Sequence, residues 1–453
     1  MIAMFGVMMR PIAIRLACLV LCLVMTAPIA QADPELVWRR QDVGRKILAP
    51  VIAPSKGVAL AIIEHSVDSP AFPASSDDFD VASVAAFDLT TGETRHAVIP
   101  DIAGDSYPAS LHDLVVGEDV FVVLAADEKG GDTRSYYAFA YDLDSFELRY
   151  TIKLPLADYP DHIPLEQEGV MQISENHLLI ATALRWTFED RDPLMMVYDL
   201  GTGQLQRVLG LQDLDPKAEP GWFGRRPQAP DVMFDAAVAE GGILFAPDYG
   251  DQQKDEGRLL SYDLSRAEAL PEQHIAQQDD RNAFLIGADA ERIYFSTHND
   301  RGGLEPIKPQ HVMWQSDLIG VPRQAGAMVR YADPFPVKGQ MPTKSELTYA
   351  EMTTGALLFT GSGFPREMRR SGGYLVATAP SAPLTEVGAM VLTVFDAASG
   401  KQLGIMAPRD PQTEFFGSAF DLKDDLVLVP ILKGQAFMSY GLHDLALFRL
   451  RAP

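Results

Sequence analysis

Nine histidines are spread along the chain: His65, His96, His112, His162, His177, His274, His298, His311 and His443. No two stand at the His-x-His or i, i+4 spacing that would aim two imidazoles at one metal ion. His112-Asp113-Leu114 returns as His443-Asp444-Leu445, which reads as coincidence or as strand-edge structure. The stretch best equipped for recognition is Pro220-Gly221-Trp222-Phe223-Gly224-Arg225-Arg226, inside an insertion from Asp213 to Asp231. Aromatic rings and guanidinium groups on an exposed loop are the side chains that anchor protein interfaces. Two more long loops, Arg301 to Gln324 and Gly361 to Gly388, are of the same kind, the second with Arg366, Arg369 and Arg370.

Those cations stand out against the rest of the chain. Among 453 residues there are 62 Asp and Glu against 38 Lys and Arg, a formal charge of -24. Such a surface repels phosphate backbones and anionic lipid, so nucleic acid is not an expected partner. It suits cations, basic partners or plain solubility. Residues 1–32 read as a signal peptide: Arg10 and Arg15, the apolar run Leu16 to Met25, and Ala30-Gln31-Ala32 as the cleavage site. The run is too short, and broken too soon by Pro28, to span a bilayer, so no stable membrane insertion is expected. Both cysteines, Cys18 and Cys22, lie inside it. Arg15 and Leu21 sit where a lipid-anchoring site needs an aliphatic and a small residue. The chain from Asp33 onward carries a charge of -26 and no cysteine, hence no disulfide and no thiolate metal site. The expectation is a periplasmic or secreted bacterial protein.

One pattern recurs along residues 33–453: an apolar run, an aromatic, an Asp and a turn. The aromatics are Phe87, Tyr141, Tyr198, Tyr262, Tyr331, Phe395 and Phe448, about 60 residues apart. Asp followed three or four residues later by Gly lets one strand reverse into the next, which is hairpin chemistry and not a binding motif. Short apolar runs precede most of them: 119–124, 177–181, 242–246, 292–296, 356–359 and 425–429. Bounded by Gly and Asp, they read as strands buried on both faces. The pattern predicts an all-β chain, a single β-propeller of about seven four-stranded blades. The last repeat stops short of its final strand, so the segment Leu36 to Val51 is expected to pair with the C-terminal blade and close the ring.

Two repeats carry more specific wording. Phe416-Gly417-Ser418-Ala419 precedes the strand 426–429, and Phe234-Asp235-Ala236-Ala237 precedes Ile243-Leu244-Phe245-Ala246-Pro247. These resemble the FG-GAP repeat of integrin α-like propellers. The resemblance implies seven blades, a ligand-binding or adhesion role, and calcium in loops of alternating Asp or Asn. The matching loops hold Asp127 and Asp132, Asp248 and Asp251, and Asn299-Asp300. None has the 1, 3, 5 acidic spacing of a hard-cation loop, and each includes or adjoins a Lys or Arg, so solvated hairpin tips are the plainer reading. Phe395-Asp396-Ala397-Ala398-Ser399-Gly400 also resembles the repeat of pyrroloquinoline-quinone dehydrogenase propellers. Trp38, Trp186, Trp222 and Trp314 do not recur at one blade position, however, and adjacent cysteines are absent. No bound quinone or other cofactor is expected.

Gly104-Asp105-Ser106-Tyr107 resembles the nucleophile block of some esterases, but no His-Asp block accompanies it, and Gly361-Ser362-Gly363 lacks nucleophile-elbow spacing. Two functional readings result. The first is a non-enzymatic binding or protein-interaction module whose contact residues are Trp222, Phe223, Arg225 and Arg226, unless the two aromatics fold back to plug the channel. The second is a hydrolase or lyase with its site at the central mouth, assembled from residues on several blades.

Overall fold

A computed structural model describes residues 34–65, 81–102, 109–127, 135–159, 162–164, 171–184, 194–216, 237–248, 256–270, 273–276, 282–288, 293–298, 317–318, 321–322, 327–332, 346–351, 357–362, 368–380, 390–396, 402–406, 408–409, 413–417, 419–435, 438–439 and 442–451. Every aromatic of the sequence repeat lies on the third strand of a sheet. From the axis outward, blade 1 is Lys46–Ala53, Val58–His65, Val81–Asp88 and Thr94–Val98, and blade 2 is Ser110–Val116, Val120–Ala126, Tyr136–Asp142 and Leu148–Lys153. Blade 3 is Met171–Ser174 with His162–Pro164 beyond it, His177–Leu184, Leu194–Asp199 and Leu205–Leu209. Blade 4 is Val238–Glu240, Ile243–Asp248, Glu256–Asp263 and an outer strand in two pieces, Glu268–Ala269 and Gln273–Ala276. Blade 6 is Met368–Ser371, Tyr374–Pro380, Met390–Asp396 and Gln402–Met406.

Blade 5 departs from the four-strand pattern. It has five strands, Asn282–Ala288, Ile293–His298, Ala327–Ala332, Glu346–Glu351 and Leu357–Ser362, and the second and third run parallel. The run 356–359, expected to be the second strand of blade 6, therefore belongs to blade 5, and Tyr374–Pro380 takes that place. Periodicity could not separate the two, because both are short apolar runs ahead of Phe395.

Blade 7 contains Glu414–Phe416 and Asp421–Lys423, then Leu426–Gln435 and His443–Arg449, and its outermost strand is Glu35–Gly44. The expected closing segment is thus two strands. Residues 35–44 complete blade 7, and 46–53 start blade 1 at the axis. The innermost strands of the seven blades touch in order, and that of blade 7 touches that of blade 1, so the ring is closed.

The core is a series of layers between successive blades. The second strands of blades 1 to 3 are buried on both faces over most of their length, and all of Val120–Ala126 is buried. One face packs on blade 1 through Phe121, Val123 and Ala125; the other packs on blade 3 through Val122 and Leu124. Each large apolar side chain so buried is worth about 1.5–3 kcal/mol.

A local module repeats in the first three blades. The turn Asp, at 88, 142 and 199, accepts backbone N–H groups of its own turn, from Thr90 and Thr91, Asp144 and Ser145, and Thr202. The next residue is Leu, and its N–H donates to the first hairpin turn of the blade: Leu89 to Gly57, Leu143 to Asp119 and Leu200 to Asn176. Seven residues after each Asp, Arg95, Arg149 and Gln206 reach back to its second carboxylate oxygen. Eight residues after it, His96, Tyr150 and Arg207 point to the next blade. His96 stacks on Phe146, Tyr150 donates to the Leu200 carbonyl, and Arg207 lies against Tyr262. Trp38 of blade 7 holds the same register position; its indole Nε1 donates to the Leu89 carbonyl of blade 1 at 3.0 Å. Position, and not tryptophan itself, is what recurs.

Candidate functional site

The two ends of the ring differ. In a meander, the connections after the first and third strands share one end, and all others share the opposite end. The first end is closed by the tight hydrogen-bonded turns just described. The other, the loop end, carries the connections between second and third strands and between blades. The strand ends that bound residues 128–134, 217–236 and 249–255 all lie there. Trp222, Phe223, Arg225, Arg226, Asp132 and Asp251 fall outside the described residues, as do the signal peptide and Ser106. Asp127 and Asp248 are described. Asp127 directly follows the second strand of blade 2, its amide donating to the Ser135 carbonyl, and Asp248 ends the second strand of blade 4, in register with Arg258. Among the described residues no group of three His, Cys, Asp or Glu is arranged to hold a metal ion, and no helix is long and apolar enough to cross a membrane.

Among the described residues, a dense charged cluster sits at the loop end of blade 7. Asp444 is fully buried. It accepts from Arg39 Nε at 2.7 Å and from the Asp42 amide at 2.9 Å, and pairs with Lys433 Nζ at 2.7 Å. Arg39 also forks onto both oxygens of Glu414, at 3.2 and 2.6 Å, and Lys433 reaches Asp42. Burial alone would push the Asp444 carboxyl up; Lys433, the Asp42 N–H and Arg39 overcome that and hold it below the usual carboxylate range. Glu414 leads in raising the Arg39 guanidinium. His443 is lowered by burial and by Lys433, and its Nδ1 accepts the Lys433 N–H. Every charge here has a partner, so the cluster fastens the N-terminal strand to blade 7. The two His-Asp-Leu triplets are unrelated: Asp444 is on a third strand, while Asp113 is on the innermost strand of blade 2.

Around the axis, side chains link neighbouring innermost strands where backbones do not pair. Asp421 accepts the Ile52 N–H from blade 7 to blade 1 at 2.7 Å, and Asp113 accepts the Met171 N–H from blade 2 to blade 3 at 2.8 Å. Gln172 bridges blade 3 to blade 4, accepting from the Ala239 amide and donating to the Ala237 carbonyl. Near the loop-end mouth, Ser110 Oγ lies 3.0 Å from His112 Nε2. His112 is the extra residue of a bulge between Leu111 and Asp113, and bulges re-aim side chains. Nothing singles this pair out among nine dispersed histidines in the sequence; its one signal there is Ser-x-His on a strand, a spacing that puts both side chains on one face.

No family model matches the chain, and no curated protein matches it in sequence. Solved structures of similar outline include the quinohemoprotein alcohol dehydrogenase of Comamonas testosteroni, 10% identical at TM-score 0.45, covering 93% of this chain and 77% of that one. The β-propeller domain of the Trilobed protease of Pyrococcus furiosus is 10% identical at TM-score 0.47, covering 89% and 94%. The Dos1 propeller is 10% identical at TM-score 0.42, covering 93% and 96%.

Proposed function

We propose that the chain is an exported propeller of FG-GAP-like repeats that binds a partner at its loop end, with Trp222, Phe223, Arg225 and Arg226 in the contact. The observation that carries this reading is the asymmetry of the ring. The turn carboxylates Asp88, Asp142 and Asp199 are bound to N–H groups of their own turns, whereas the described strand ends flanking the insertion, Leu209 and Val238, belong to the loop end. Aromatic and arginine side chains there would give a basic, apolar anchor on an acidic body. The test is site-specific photocrosslinking from position 223 and from Ser265 at the turn end, in periplasmic extract. An adduct from 223 alone, competed by the unmodified protein and not by an R225E/R226E variant, is expected. Equal adducts from both positions, or none, would refute it.

One observation favours the second reading, a hydrolase at the central mouth: the Ser110–His112 contact, a hydroxyl within reach of an imidazole base. Labelling by a fluorophosphonate probe that is lost in Ser110→Ala would support it, and an unlabelled wild-type protein would dismiss it.

A further inference from the structure

We propose that residues 35–40 exchange between two copies of the chain, each closing strand completing blade 7 of the other ring. The first argument is chain order. Arg39 and Asp444 meet across 405 residues, while most other blade strands pair with near neighbours. Local hairpins form first. Until the C-terminal blade is made, the closing strand and the edge His443–Arg449 both stand open, and an open edge accepts any matching strand.

The second argument is the hinge. The crossing from blade 7 to blade 1 runs through residues 41–45, in which Gly44 still pairs with His443 and the Arg45 N–H already donates to the Glu64 carbonyl of blade 1. Register is lost between Arg40 and Gly44, and Asp42 takes a left-handed φ of 55°. Gly44 is so close to blade 1 that an added Cβ would lie 2.5 Å from Ile63 Cγ2 and 2.8 Å from the Glu64 carbonyl. Short hinges under strain favour exchange, because the swapped form straightens them and, at the loss of the Asp42 and Gly44 contacts, keeps those of residues 35–40. Trp38 on the Leu89 carbonyl, and Arg39 on Glu414 and Asp444, are equally available to a strand from a second copy. Five extended residues reach at most about 17 Å, so the two rings must meet along their blade 7–blade 1 seams.

Glu35 and Arg449 are exposed register partners, and a chain begun at Asp33 has no cysteine of its own. Antiparallel partners lie within disulfide reach. The E35C/R449C protein is refolded reduced at rising concentration, oxidised, and run on a non-reducing gel. A covalent dimer that grows with concentration is expected, and is absent when the disulfide is closed before unfolding. Intramolecular cross-links alone overturn the proposal, whether or not dimers of another kind form. Should refolding fail, natively purified E35C and R449C single variants are mixed under mild denaturant and then oxidised. Only exchange joins position 35 of one copy to position 449 of the other, so an E35C–R449C heterodimer supports exchange and its absence overturns it.

Discussion

Gly92 tests whether the blades are locked through the outer-strand register position that Trp38 shares with His96, Tyr150 and Arg207. Its φ is +69°, and a Cβ there would lie 2.7 Å from Cδ2 of the Trp38 ring. Gly241 has a φ of +56° and nothing within 4 Å of a Cβ. Gly241→Ala therefore carries only the left-handed backbone cost, about 1 kcal/mol. Gly92→Ala carries that cost plus about 1–3 kcal/mol for forcing Trp38 from its seat, so about 2–4 kcal/mol in all. Urea unfolding at unchanged m-value measures both. In a Trp38→Ala background the Gly92→Ala cost should fall to that of Gly241→Ala, a coupling of about 1–3 kcal/mol. If Gly92→Ala costs no more than Gly241→Ala in the wild-type background, Trp38 is not what fastens blade 7 to blade 1.

Two other outcomes are expected. Arg39→Met should cost about 3 kcal/mol or more, because fully buried Asp444 loses one of its cations, while Lys46→Met, breaking an exposed pair with Glu64, should cost less than about 1 kcal/mol. Asp88 is held at a pKa of about 2 by the Thr91 N–H, then Arg95 and the Thr90 N–H. A depressed carboxylate stabilises the fold above its unfolded pKa of about 3.9 and loses that contribution as pH falls through the folded value. Asp142 and Asp199 are shifted the same way. The melting temperature should drop between pH about 4 and 2, and Asp88→Asn should flatten that drop; an unchanged slope would show that the turn charges do not govern acid stability.

Much of the architecture was legible because turn chemistry is local. An aromatic and an Asp at a strand end, followed by a left-handed residue four positions after the Asp (Gly92, Phe146 and Gly203), specify the strand end and its reversal, so Phe87, Tyr141 and Tyr198 marked third strands without reference to anything distant. The missing last strand followed from counting. What could not be read was each contact that crosses blades. Gly92 looks like any turn glycine until Trp38, 54 residues earlier, is seen to lie on it. His96, Tyr150 and Arg207 share no side-chain type and are related only by register. Asp113, Gln172 and Asp421 look like surface residues until the ring brings an unpaired N–H to each. Sequence alone determined the repeat, the third strand of each blade and the acidic charge, because these depend on residues a few positions apart. Tertiary structure decided which side chains lock one blade to the next, how residues 35–51 divide between two blades, and where Arg39 finds Asp444, because those depend on surfaces that meet only when the ring closes.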